Sequence, residues 1–326
     1  MKRFIFITIL LSGVLLAQGA LALTISPPKI ELDANPGSII NQTIKLFNET
    51  EEARIFYPTV QDFTARGETG EPGFVAKEKN PYSLADWIKI DTGPIALSPK
   101  ERKEIQFTVQ VPENAEPGGR YAGILFSTQP PEVMQGATPI AVAGKVGSLV
   151  LLRVGGEVVE FGRLVEFNTE DKKGFYTHLP IDFYIRFENL GNVHLKPRGE
   201  VKLQGLLDIT ATPTTLLVNE AGGNALPQSI RRYDVNWTKA GVKAEAQGIF
   251  EELKHQWKGF AIGKFTARLN LYYGTEARQM TAEKSFWVFP WLLILVIAVV
   301  AAVLAFGLKI GIKKYNAWII RRSRIR

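Results

Sequence analysis

The sequence predicts an all-β body of two sandwich domains, followed by one C-terminal transmembrane α-helix. Three observations lead there. The apolar period is two along most of residues 23–286, turn-forming residues interrupt that stretch at short intervals, and residues 287–308 carry no charge.

The alternation is clearest over 178–188. Leu179, Ile181, Phe183, Ile185 and Phe187 take one face, while Asp182, Tyr184, Arg186 and Glu188 take the other. A half-buried antiparallel strand produces this pattern. Phe265, Ala267, Leu269, Leu271 and Tyr273 repeat it against Thr266, Arg268, Asn270 and Tyr272. Shorter runs occur at 24–32, 39–47, 54–63, 104–111, 121–127 and 140–154. Between them lie Asn35-Pro36-Gly37, Thr92-Gly93-Pro94, Glu116-Pro117-Gly118-Gly119 and Gly155-Gly156. Short strands at this spacing, rich in Val, Ile, Phe and Tyr, argue for sandwiches, and the lack of Gly-rich βα turns argues against a doubly wound sheet.

A boundary near Gly155-Gly156 gives domains at 23–154 and 157–286, each large enough for its own core. Two stretches depart from the β pattern. Residues 65–85 read as a polar, Gly-rich loop ending at Asp86-Trp87-Ile88. Apolar positions at 242, 246, 249, 253 and 257 have a helical period, interrupted at Gly248, and predict a short helix capping the second sandwich. Residues 281–286 read as a last strand, with no stalk before the span.

Charge separates the ends from the body. The 326 residues carry 39 Lys and Arg against 32 Asp and Glu, a formal net charge of +7. Lys2 and Arg3 open the chain, and Lys309, Lys313, Lys314, Arg321, Arg322, Arg324 and Arg326 close it without an acid. The remaining body is slightly acidic, so it has no net excess from which to build a basic nucleic-acid face. Lys2-Arg3, the apolar run 4–16 and Ala20-Leu21-Ala22 have the order of a signal peptide at 1–22, cleaved after Ala22.

The span at 287–308 would reach about 33 Å as a helix, enough for a bilayer core. Trp287 and Trp291 suit the headgroup zone, and Pro290 suits a first turn. The positive-inside bias places the basic tail 309–326 in the cytoplasm and the two domains outside, in a single-pass cell-membrane protein. That tail either lies along the inner leaflet or serves simply as a stop-transfer signal.

Enzyme motifs are missing from the sequence. The absence of cysteine excludes disulfides, thiolate metal sites and a Cys nucleophile. His178, His194 and His255 lie far apart and fit no metal-ligand spacing. No nucleophile elbow, phosphate loop, dinucleotide loop or calcium loop occurs. Acid pairs such as Glu51-Glu52, Glu170-Asp171 and Glu251-Glu252 read as solvated faces. The chain is therefore expected to be no enzyme, with no cofactor, no metal and no catalytic residue; its binding residues stay unknown. Asn41, Asn48 and Asn236 open glycosylation tripeptides at about chance frequency.

One segment carries a family resemblance. In order come Ala85-Asp86-Trp87-Ile88, Ile95-Ala96-Leu97-Ser98-Pro99 and Ile105-Gln106-Phe107-Thr108-Val109. Val111-Pro112-Glu113-Asn114-Ala115-Glu116-Pro117-Gly118-Gly119-Arg120-Tyr121-Ala122-Gly123-Ile124 follows, then a Pro-rich loop at 129–139 and Val146-Gly147-Ser148-Leu149-Val150-Leu151-Leu152-Arg153-Val154. This resembles the first, peptidoglycan-binding domain of the WxL-interacting cell-surface proteins, itself reminiscent of the N-terminal domain of pilus chaperones. The resemblance implies two Ig-like β-sandwich domains, with cell-wall polymer (peptidoglycan) and exported surface proteins as partners.

Two functional expectations follow. The first is a membrane-anchored binding or scaffold protein at the cell surface that contacts wall polymer and exported proteins. The alternative is a membrane-held, chaperone-like factor that assembles subunits of a surface appendage, with Lys29 or Lys145 gripping a terminal carboxylate. Either would use exposed strand edges, and residues 140–154 are the preferred edge. A signalling receptor is disfavoured, because an 18-residue tail cannot hold a catalytic domain.

Overall fold

The computed structural model describes residues 23–75, 80–130, 144–205, 214–239 and 248–323. The signal-peptide expectation at 1–22 lies outside them, as does most of the Pro-rich loop. The chain divides into two compact units. One holds Met1–Arg66, Glu71–Val159 and Gly191–His194; the other holds Gly67–Gly70, Glu160–Leu190 and Leu195–Arg326.

The first unit is a sandwich built from β1 (Leu23–Ser26), β2 (Lys29–Ala34), β3 (Ile39–Asn48), β4 (Arg54–Arg66), β5 (Glu71–Val75), β6 (Ile88–Ile90), β7 (Ile95–Leu97), β8 (Arg102–Gln110), β9 (Gly118–Ser127) and β10 (Val146–Val154). One sheet runs β1-β3-β8-β6. The other runs β2-β10-β9-β4-β5, with β7 also paired to β4. Their inner faces share one core, in which Ile44, Leu46, Phe107 and Val109 meet Phe56, Ile124, Phe126, Val150 and Leu152. Alternation in the sequence places those residues inward and their polar neighbours outward.

Two expectations are corrected here. Residues 65–85 are not one long loop, because β4 runs to Arg66 and turns into β5, pairing Asp62 with Val75 and Arg66 with Glu71. Glycines at 67, 70 and 73 hid this hairpin, since they suit its turn as well as they suit a loop. The alternation expected for β9 is also absent: all ten of its residues are buried. Its outer face is covered by Phe63 and Tyr82, whose rings lie 6.0 and 6.2 Å from that of Tyr121. Burial drives the Tyr121 phenol well above its ordinary pKa.

The second unit holds β11 (Gly162–Thr169), β12 (Phe175–Tyr176), β13 (Ile181–Asn189), β14 (Arg198–Gly205), β15 (Thr214–Val218), β16 (Ser229–Trp237), β17 (Gly263–Tyr273) and β18 (Arg278–Val288). Its sheets run β11-β13-β16 and β12-β18-β17-β14-β15. Aromatic rings fill the space between them. Phe183 lies 5.7 Å from Phe286, Trp237 lies 5.0 Å from Phe265, and Phe187 lies 5.3 Å from Tyr273. The alternating strands read at 178–188 and 265–273 are β13 and β17.

The fold class is therefore all-β, with two Ig-like β-sandwich domains and one long C-terminal helix. Among the described residues, two helices complete the second unit. The predicted capping helix is α1 (Ile249–Lys258); the first part of the expected stretch, 242–247, lies outside the described residues. The long helix is α2 (Trp291–Ser323), separated from β18 only by Phe289 and Pro290. Residues Trp291–Ile320 are long and apolar enough to cross a membrane, and only 6% of their most apolar window is buried. A helix in the core of a domain would be covered over most of that length.

Candidate functional site: the open end of strand β10

The preferred edge is largely closed. From Leu149 to Val154, β10 pairs in parallel with β2 over Lys29–Ala34, while its other side pairs with β9 along its full length. Residues 140–143 lie outside the described residues. Val146, Gly147 and Ser148 are the exception, since the ladder with β2 begins only at Leu149.

Two prolines set that limit. The chain leaves β1, which pairs with β3, passes through Pro27 and Pro28, and enters β2 in the opposite sheet. The Leu149 N–H donates to the Pro28 carbonyl at 3.0 Å, so the backbone groups of alternate residues along β10 point toward β2. Gly147 is two residues earlier and shares that direction. Continuing the register would require the residue-28 N–H to donate to the Gly147 carbonyl, and proline has no N–H. The Ser148 hydroxyl instead donates to the Pro27 carbonyl at 2.8 Å, holding the crossover in place. Among the described residues, no ladder covers Gly147 on this side.

Gly147 is required by its other neighbours. A Cβ there would lie 2.5 Å from the Ile124 carbonyl oxygen and 2.5 Å from Leu125 Cδ2. The position is thus confined to glycine by close approach to β9, and it has no side chain to shield its backbone. Gly144, three residues earlier, is exposed. Together these features form a short backbone edge able to accept an extended segment by strand addition.

The two candidate cations are already engaged. Lys29 Nζ lies 2.7 Å from Glu31 Oε1, and Lys145 Nζ donates to Gln61 Oε1 at 3.4 Å. The histidines are distributed otherwise than their sequence separation suggests. His194 belongs to the first unit, with Nδ1 3.4 Å from the Tyr121 hydroxyl. His178 and His255 meet in the second unit with ring centroids 5.9 Å apart, and His178 Nε2 is 3.4 Å from Glu252 Oε2. Sequence spacing could not reveal this pair, because it joins a loop before β13 to α1. No group of three His, Cys, Asp or Glu side chains suited to a metal occurs among the described residues.

Asn48 is corrected as a glycosylation candidate. It is fully buried, and its amide donates to the Glu52 carbonyl at 2.8 Å and the Ser98 carbonyl at 3.0 Å, so it cannot present itself to a transferase. Asn41 and Asn236 are exposed.

Electrostatics concentrate on the outer face of the β11-β13-β16 sheet. The Tyr184 hydroxyl donates to Glu166 Oε1 at 2.7 Å, and Lys172 Nζ lies 3.0 Å from the same oxygen. These contacts, the tyrosine bond first, lower the Glu166 pKa to about 2. The arrangement ties β11 to β13 through charged and hydrogen-bonded contacts.

No protein-family model and no curated protein matches this chain. Among solved structures, the chain is similar to the class 5 fimbriae chaperone CfaA at 12% identity, with a TM-score of 0.36, covering 81% of this chain and 98% of that one. It is similar to the CupB2 chaperone of Pseudomonas aeruginosa at 8% identity and a TM-score of 0.34, covering 80% and 99%. For the E. coli chaperone DraB the values are 12% identity and a TM-score of 0.33, covering 82% and 98%.

Proposed function

We propose that this chain is a membrane-held, chaperone-like assembly factor that binds extended segments of exported proteins by strand addition at Lys145–Ser148. The observation that carries this reading is the Gly147 backbone, which no ladder pairs on the β2 side among the described residues, where Pro27-Pro28 interrupt the register and close approach to β9 allows no side chain. The apolar helix α2 supports membrane attachment, with the β body outside and the basic tail in the cytoplasm. No catalytic step or cofactor enters the mechanism. Main-chain hydrogen bonds would supply affinity, and the partner's alternating side chains would supply specificity.

A photo-cross-linking residue in place of Lys145 tests this in intact cells. The reading expects adducts with exported proteins, absent when the same group replaces exposed Lys103 in β8. Adducts at neither site, or equally at both, would overturn it.

A second reading, a surface scaffold on wall polymer, draws support from the segment resemblance and from a polar groove. Asn41, Gln42, Thr43, Gln106 and Thr108 line that groove on β3 and β8. Deletion separates the two readings. Loss of an assembly factor leaves appendage subunits degraded, whereas loss of a scaffold weakens wall attachment and leaves those subunits intact.

A further inference from the structure

Helix α1 is amphipathic in the reverse of the usual sense. Glu252, His255, Gln256 and the following Gly259 form its inward stripe, and His255 and Gln256 are buried. Its apolar side faces out: Ile249 is 72% exposed, Phe250 88% and Trp257 69%. Phe260, just beyond the helix, is exposed as well. A helix on a water-facing surface would bury this stripe and expose the polar one.

Hydrogen bonding explains why the polar stripe turns inward. The Gln256 amide donates to Glu252 Oε1 at 2.8 Å, and its Oε1 accepts the Leu293 backbone N–H at 2.9 Å. Leu293 lies in the first turn of α2, where backbone N–H groups have no partner within the helix. Gln256 therefore serves as a side-chain cap for the long helix and ties α1 to its first turn. That bond fixes the level of α1: its outward stripe lies beside the start of α2, where Trp287, Phe289 and Trp291 are also exposed. Two aromatic groups, one on α1 and one around the start of α2, thus occur at the same end of the long helix.

We infer that α1 is an in-plane membrane helix, lying in the headgroup–acyl boundary of the same bilayer that α2 crosses. This rests on the reading of α2 as a membrane span. The occupant of the apolar stripe is lipid, because Gln256 holds α1 at the first turn of that span, where Trp287, Phe289 and Trp291 are exposed as well. Phe250 and Trp257 would enter the boundary region, while Lys254 and Lys258 extend toward headgroups. The protein would then meet the membrane through a broad foot, and the contact would restrict tilting of the second unit about α2.

The absence of cysteine makes the test clean, since one introduced Cys carries one label. The full chain, bearing Phe250→Cys, is labelled with an environment-sensitive fluorophore and reconstituted into vesicles of mixed neutral and anionic phospholipid. Ala301→Cys in α2 and Ile39→Cys on β3 are prepared in parallel. The expected result is blue-shifted emission at position 250, quenched by lipid carrying a nitroxide near the headgroup. Position 301 should be quenched by a deep nitroxide, and position 39 by neither. Trp257→Cys should repeat the result at 250, so the outcome does not depend on one variant folding. Quenching at 301 without quenching at 250 or 257 overturns the in-plane helix while leaving the span intact. Blue-shifted but unquenched labels at 250 and 257 also overturn it, in favour of a protein partner or a second copy covering the stripe. Loss of quenching at 301 as well removes the span reading itself.

Discussion

Three residues connect single atoms to measurable stability. Asp62 is buried, and its Oδ1 accepts the backbone N–H groups of Leu84 and Ala85 at 2.9 Å each. Asp62→Ala leaves both donors unsatisfied and should cost about 1–3 kcal/mol; Asp62→Asn keeps an acceptor oxygen and should cost less. Thermal unfolding of the detergent-solubilised chain, followed by circular dichroism, ranks the two. Gly147→Ala would place a methyl 2.5 Å from the Ile124 carbonyl. Overpacking of this kind should destabilise the chain by about 1–3 kcal/mol in the same assay. Glu166 governs an acid limb: its folded pKa of about 2 lies below the ordinary 4.5. The unfolded chain therefore binds the proton first, so this contribution is full above about pH 4.5 and is lost as pH falls toward 2. Glu166→Gln should flatten that part of the stability profile. An unchanged slope between wild type and variant would remove the assignment.

At the scale of elements, the crossover between β1 and β2 decides where β10 is open. Pro28→Ala supplies the N–H that the parallel register places opposite the Gly147 carbonyl. The variant should extend the β2 ladder, retain stability and lose cross-linked partners at Lys145. Undiminished cross-linking in a folded Pro28→Ala protein would show that partner strands do not use this edge. The strands themselves were legible to different degrees. In β17 buried and less buried residues alternate without exception, as its apolar pattern predicts. β9 did not alternate because a second aromatic layer covers its outer face, and no local periodicity records a covering made by distant residues. Tyr184 shows the same effect on β13: it sits on the polar face, yet packing in the Glu166 cluster leaves it buried.

For the whole molecule, the proposed membrane attachment by α2 makes a simple topological prediction. Protease added to intact cells should remove nearly the entire β body and leave a small basic fragment containing residues 309–326. Full protection of the chain would reverse the proposed orientation. The direct passage from β18 through Phe289 and Pro290 into α2 also implies tight coupling between the sandwich of the second unit and that helix. Inserting a flexible Gly-Ser linker after Phe289 should separate Gln256 from Leu293. Faster amide hydrogen exchange in α1 would reveal that separation, whereas unchanged exchange would show that the tie is not needed to hold the helix.

The sequence by itself determined the all-β class, the two-sandwich organisation and the uncharged helix that follows them. Each is set by local periodicity and composition, which a linear chain displays directly. Only the tertiary structure decided that Leu149–Val154 is closed and Gly147 open, that His178 meets His255, and that α1 turns its apolar side outward. These depend on register and on contacts between residues remote in sequence: a missing proline N–H matters only opposite a particular carbonyl, and a glutamine caps a helix only when folding brings it to that helix's first turn.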